Sequence, residues 1–284
     1  MTDVALPAPS LPWTTLLAVY LVLLGGAAGI PMVASVVRPR ERRAAQAVDR
    51  LASWSALALT AVAACVFIAD LDPPTRFVSL VAEWSDAGSP LSVAAKLVLL
   101  ELGLLALHLY LLPGGTRAGL MVAVLVAING AALALVPGVL LARAWSSALA
   151  TTAGAAALFL STALAIGGAA ALALAHTTPG VAGDVRFPER ATRALTALLV
   201  LNGVLTIAFS QVPRGDRSPH TRALHELFGG NGAATFWLLV VLVGLAAPGV
   251  ALWWRMRSRN AALAMAAAVT VGACAMRWLL FSLR

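Results

Sequence analysis

Eight stretches of about 20 apolar residues each govern what this 284-residue chain can fold into. They fall at approximately 13–35, 51–70, 92–112, 118–137, 149–175, 194–211, 233–254 and 260–283. At 1.5 Å rise per residue, each is long enough to cross a hydrocarbon core of about 30 Å as a helix. No water is available there to satisfy backbone N–H and C=O groups, so a spanning segment is either a helix or part of a closed barrel. The stretches are rich in Ala, Leu and Val and show no alternation of period two, which argues against a barrel. The expected fold is an all-α integral membrane protein, a bundle of about eight helices forming one transmembrane domain over residues 1–284. The expected location is the cell (cytoplasmic) membrane, crossed many times. Only 11% of residues are charged, against roughly 25% in an average soluble domain. The longest connection, of about 20 residues, has no room for a soluble domain. The first stretch has no basic segment before it and exceeds the apolar region of a secretory leader, so it reads as a span.

The net charge of +8 would suggest nucleic acid in a soluble chain. Here the arginines sort by connection instead. Arg38, Arg40, Arg42, Arg43 and Arg50 lie between the first two spans, and Arg117 lies between the third and fourth. Arg186, Arg190 and Arg193 precede the sixth, and Arg255, Arg257 and Arg259 precede the eighth. Together these are 12 of the 20 basic residues. The other side carries Asp3, Asp70, Asp72, Glu83, Asp86, Asp216 and Glu226, along with Arg214, Arg217 and Arg222. Excess Lys and Arg marks the cytoplasmic side, so both termini are expected on the outer, extracytoplasmic side. The surroundings this composition implies are membrane lipid, with no nucleic acid.

Ionisable groups inside a membrane are costly and therefore candidates for function. Lys96, Glu101 and His108 lie on the third span, Arg277 lies on the eighth, and His176 sits at the end of the fifth. Glu101 and His108 are seven apart, which puts them on one helical face about 10 Å apart along the axis. They are a possible proton path; the plainer alternative is a carboxyl bonded across a helix interface and a histidine that meets water. Paired intramembrane histidines for haem and Cys-x-x-Cys pairs are both missing from the sequence, so neither haem nor an iron–sulfur cluster is expected in this chain. Cys65 and Cys274 read as small packing residues. Glycine-rich phosphate loops are also absent. Gly25-x-x-x-Gly29 on the first span is a pattern that lets another helix approach closely. Tyr20, one and a half turns earlier, is the strongly polar side chain of that span.

The connection after the second span is unusual. It reads DLDPPTRF, Asp70 to Phe77, followed by EWSDAGSPLS, Glu83 to Ser92. Pro73 and Pro74 stop the helix and stiffen the turn. Arg76 is placed to pair with Asp70 or Asp72. Such a rigid, charged corner at a membrane surface serves either as a structural lock or as a docking surface for another subunit.

These residues together resemble the NrfD-like membrane subunits of polysulfide, nitrite and related respiratory reductases. The resemblance runs in order through most of the chain. It begins with Tyr20 and GGAAG (Gly25 to Gly29), then DLDPPTRF, then Ser89-Pro90 opening the third span. It continues with VPGVLLARAW (Val136 to Trp145), Phe236-Trp237 opening the seventh span, and Arg277 in the last. The resemblance implies a haem-free bundle that binds a quinone (menaquinone or ubiquinone) toward the outer face. It implies as partners a four-cluster ferredoxin-like iron–sulfur subunit and, through it, a molybdopterin or multihaem catalytic subunit. By the same resemblance Tyr20, Val136 and Arg143 are the expected quinone-binding positions, although Val136 lacks the hydroxyl that family members often carry there. Asp70, Asp72 and Arg76 would form the pocket rim or docking surface. The alternative is a multispanning transporter or channel with no redox role, a class that often shows internal repeats and midplane binding sites.

Overall fold

The computed structural model describes residues 15–82, 89–144, 152–178, 186–210, 219–254 and 258–282. Among them every regular element is helical, and eight helices are long and apolar enough to span a membrane. In chain order these are α1 (Thr15–Val36), α2 (Arg42–Asp70), α4 (Pro90–Leu111), α5 (Arg117–Ala144), α6 (Thr152–Thr177), α7 (Arg186–Ser210), α9 (Ala233–Trp253) and α10 (Arg259–Ser282). Two shorter helices, α3 (Arg76–Ala82) and α8 (Pro219–Gly229), occupy connections that read as loops in the sequence. Within α9 the hydrogen-bond register widens to a π-helix over Phe236–Ala246.

Three helices run further than the apolar stretches suggest. α2 begins at Arg42, so Asp49 and Arg50 are helical rather than part of a loop. α7 begins at Arg186 and takes in Arg190 and Arg193. α5 continues through Pro137 to Ala144, so Arg143 lies in its last turn; its side chain is outside the described residues. Arginine stems pack along a helix while their charged heads reach the interface, so a helix need not stop where its apolar run does.

The packing explains which helices carry the core. Within the windows that span, 67% of the residues of α1 and of α6 are buried, against 22% for α4, α7 and α9. α1 and α6 are thus the centre, and the others present a lipid face: Val200, Val204 and Ile207 on α7, and Met121, Val124 and Ile128 on α5, are all exposed. α1, α2, α4 and α5 close one ring of contacts and α6, α7, α9 and α10 close another, joined where α6 packs on α1 and α5 and where α10 touches α1. Gly29 and Gly167 make that junction. A Cβ at Gly29 would overlap the Ala163 carbonyl, and one at Gly167 would overlap the Gly29 carbonyl. The Gly25-x-x-x-Gly29 pattern therefore divides its work, because Gly29 faces α6 while Gly25 faces a side chain of α10.

Candidate functional site

Polar side chains in the bundle fall at three levels. The first lies toward the face where α1 begins and α2 ends, termed the amino-terminal face below. Tyr20 is fully buried there in an apolar cluster with Leu17, Leu21, Leu24, Leu80 and Leu133. Its ring stacks on Phe67 at 4.9 Å between centroids, and Phe67 meets Phe77 edge-on at 5.9 Å. The chain of rings leads from α1 through α2 to α3. The Tyr20 hydroxyl is buried and has no hydrogen-bond partner among the described residues. Such a group forgoes about 1–3 kcal/mol relative to a bonded one.

On the same level, Arg277 of α10 is 1% exposed. Its Nε donates to Thr162 Oγ1 at 3.1 Å, its Nη2 donates to the Phe159 carbonyl at 2.8 Å, and its Nη1 donates to the Leu21 carbonyl. The guanidinium carbon also lies 5.2 Å from the centre of the Phe159 ring. Thr162 gives its own hydroxyl proton to the Phe159 carbonyl, which leaves its oxygen free to accept. These described partners are dipoles and a π face. A Cβ at Gly25 would overlap the guanidinium, so the glycine makes the space for it. Arg277 thereby ties α10 to both central helices, one residue from Tyr20.

The second level is mid-bundle. Glu101 of α4 is fully buried, and its Oε2 accepts from Asn129 Nδ2 of α5 at 2.7 Å. The same amide nitrogen donates to the Leu97 carbonyl at 3.0 Å, while Glu101 Oε1 has no partner. In the other ring, Ser161, beside Thr162 on α6 and so nearer the first level, donates to Asn202 Oδ1 at 2.9 Å.

The third level is the opposite, arginine-rich face. Arg38 and Asp49 form an ion pair of 2.7 Å. Arg190 Nη1 donates to the Arg38 carbonyl at 2.7 Å and fixes the turn after α1. His108 is 6% exposed, its Nδ1 is buried without a partner, and it shares a small cavity with Arg38, Asp49 and Ser53.

A family model described as polysulphide reductase, NrfD, matches residues 4–282, nearly the whole chain. The chain belongs to the NrfD family. The family's members are membrane subunits of oxidoreductase complexes, and the eight apolar helices make this NrfD protein a multi-pass integral membrane protein. No curated relative matches it.

In this NrfD chain the expected site residues are only partly brought together. Tyr20 and the Asp70–Phe77 corner are joined by the Tyr20–Phe67–Phe77 rings. Val136 is buried in a separate cluster with Ala94 and Leu140, where α5 meets the start of α4, rather than in the Tyr20 cluster. The corner itself is held by backbone bonds from the N–H groups of Arg76, Phe77 and Val78 to the carbonyls of Pro73, Pro74 and Thr75. Arg76 and Asp72 are exposed, and Asp70 is half-buried. Ser92, near the start of α4, donates to the Leu80 carbonyl at 2.7 Å and locks α3 down on α4. Lys96 donates to Ser92 at 3.0 Å.

Glu101 and His108 lie two turns apart on α4, as expected, and Leu105, Ala56, Val122 and Val126 pack at the level between them. The sequence reading missed Asp49, hidden by a helix start placed too late. It also missed Asn129 and Asn202, whose signal was a strong hydrogen-bonding amide inside an apolar run.

Proposed function

We propose that this NrfD chain is the quinone-reactive subunit of its oxidoreductase complex, exchanging electrons between a membrane quinone (menaquinone or ubiquinone) and an iron–sulfur subunit docked on the amino-terminal face. The observation that carries this reading is the Tyr20 hydroxyl, fully buried and unpartnered among aromatic and aliphatic side chains. A quinone head requires few polar contacts, namely a donor aimed at a carbonyl in an otherwise apolar cleft. Tyr20 supplies the donor and Phe67 a flat wall already stacked on it. The quinone supplies the redox chemistry when bound. The protein holds the head, keeps water away, and offers a proton acceptor at the rim, where Asp70 lies one turn beyond Phe67 on α2.

The partner surface in this reading is built from α3 and α8. Val78 on α3 is 68% exposed beside Asp72 and Arg76. α8 is pinned to α9 by the Phe228, Phe236 and Trp237 rings and by Trp237 Nε1 donating to the Phe228 carbonyl at 3.1 Å. A four-cluster ferredoxin-like subunit, linked in turn to a molybdopterin or multihaem subunit, would dock there. Arg143 would lie near this surface by its place at the end of α5.

This function requires the amino-terminal face to be extracytoplasmic, which the distribution of arginines supports. In a chain with Cys65 and Cys274 replaced by alanine, cysteines at Ser10 and at Glu41 should label from opposite sides of intact cells. Ser10→Cys should react with an impermeant maleimide, and Glu41→Cys should react only after permeabilisation. The reverse pattern would remove the outer-face partner.

Tyr20→Phe deletes the hydroxyl and keeps the stacked ring. Loss of a neutral hydrogen bond is worth about 0.5–1.5 kcal/mol, so half-saturation by quinol should rise roughly three- to tenfold. The readout is quinol-dependent reduction of the iron–sulfur subunit in the assembled complex, over a quinol titration. An unchanged curve would take Tyr20 out of the site.

A further inference from the structure

The arginine-rich face carries a cavity that the proposed redox role does not use. Its volume is about 330 Å³, and its walls include Arg38, Arg42, Arg117, Thr116, Asp49 and His108, drawn from α2, the turn after α1, and the junction of α4 with α5. Gly115, in the left-handed conformation at φ 55°, ends the helical turn after α4 and lets the Arg42 guanidinium lie against it. Three guanidinium groups face one carboxylate, and that carboxylate is already paired with Arg38. Two buried polar atoms here have no partner, Arg38 Nε and His108 Nδ1. The walls thus carry surplus positive charge and unused hydrogen-bonding capacity.

A second cavity, of about 420 Å³, lies beside the first and shares Arg38 and Leu120 with it as lining residues. It runs along α5 past the last turn of α1, between Val36, Val124, Ala127, Ile128 and Ala131, and its lining is almost entirely aliphatic. A cationic chamber at the helix ends, set beside an aliphatic groove with Arg38 on the wall of both, has the chemistry of one kind of molecule.

We propose that this composite site binds an anionic phospholipid, with its phosphate among Arg38, Arg42 and Arg117 and an acyl chain in the α1–α5 groove. Basic pockets between helices at one membrane face are suited to anionic headgroups, and guanidinium matches phosphate geometry through paired donors. A free phosphate would satisfy the chamber and leave the groove unexplained; Arg38 on the wall of both decides for the lipid. The site lies on the face opposite Tyr20, so it stands or falls independently of the quinone reading.

The test is native mass spectrometry of the purified full chain in detergent, titrated with phosphatidylglycerol or with phosphatidylcholine of the same acyl chains. Phosphatidylglycerol should bind at least tenfold more tightly. Each cation near a headgroup contributes about 1 kcal/mol, or about fivefold. Arg42→Gln and Arg117→Gln should therefore each weaken phosphatidylglycerol about fivefold, while Arg43→Gln, exposed on the same helix but outside the cavity, should leave it unchanged. Ala127→Phe, which fills the groove, should weaken phosphatidylglycerol without improving competition by inorganic phosphate. Equal binding of the two lipids, or an equal loss in Arg43→Gln, would overturn the proposal in favour of a diffuse surface field. Displacement of the lipid by millimolar inorganic phosphate would overturn it in favour of a free-anion site, and displacement by a short-chain quinone in favour of a second quinone site.

Discussion

Gly29→Val should be among the most damaging single substitutions in the membrane core, lowering stability by about 3 kcal/mol or more. Overpacking a well-filled core typically costs about 1–3 kcal/mol because side chains and backbone can shift a little. At this junction the obstacle is the Ala163 carbonyl itself, with the Gly29 carbonyl in turn set against Gly167. Two central helices would have to separate, and each carries the most buried span of its ring. In a membrane such close contact is a main source of helix association, since lipid is as apolar as the side chains it replaces. Gly203→Ala on α7 is the control, because a Cβ there meets no atom within 4 Å. It should be neutral or slightly stabilising, since glycine costs a helix roughly 0.5–1 kcal/mol relative to alanine. The comparison is a thermal or detergent-denaturation midpoint on the purified chain. Equal midpoints for the two variants would mean that α1 and α6 are not held by backbone contact.

Arg277 is the second large effect, and its size depends on what replaces it. Arg277→Lys should destabilise more than Arg277→Met, although lysine is the closer chemical relative. The guanidinium reaches Thr162, Phe159 and Leu21 at once through three nitrogens. An ammonium on a flexible stem cannot span those positions together, and it remains a buried charge. Hydrogen bonds to charged groups contribute about 1.5–3 kcal/mol each, so losing one or two while keeping the charge should cost about 2–5 kcal/mol. Methionine loses the same bonds and also removes the charge, which lifts the desolvation penalty. Gly25→Ala should behave as a weaker form of Arg277→Lys, since its Cβ displaces the guanidinium from its acceptors and leaves the charge buried. The same midpoints decide it. A lysine variant as stable as the parent would show that the geometry of the three donors is not what secures α10.

The eight spans were legible because hydropathy alone forces a helix once a backbone must cross hydrocarbon. Their ends were less legible for a related reason. α2 and α7 continue for two turns through arginines that a window of apolar residues rejects, and Asp49 was lost with them. Arg277 stood out as a charge in an apolar run. Its partners could not, because two are backbone carbonyls, and the Leu21 contact lies 256 residues away in sequence. Asn129 and Asn202 were overlooked because an uncharged amide has no ionisable group to mark it inside an apolar run. Glu101, by contrast, was visible at once, and its bond to Asn129 matches the plainer of the two readings given for it. Gly25 and Gly29 read as one packing motif, yet they face different neighbours, because four residues along a helix turn about 40° past a full circle. The corner at Asp70 to Phe77 was legible as rigid. The backbone bonds that hold it were not, since DLDPPTRF shows the prolines and not which carbonyls the following N–H groups reach.

The central claim, a quinone held at Tyr20 on the amino-terminal face, is tested most directly by photolabelling. The purified NrfD chain would be illuminated with an azido-quinone carrying a short isoprenoid tail, and the labelled peptides mapped by mass spectrometry. The account predicts labels on α1 near Tyr20 and on the α2–α3 segment around Phe67 and Phe77, suppressed by excess unlabelled quinone and reduced in Tyr20→Phe. Labelling confined to the cavity lined by Arg38, Asp49 and His108, or labelling that excess quinone does not suppress, would contradict it.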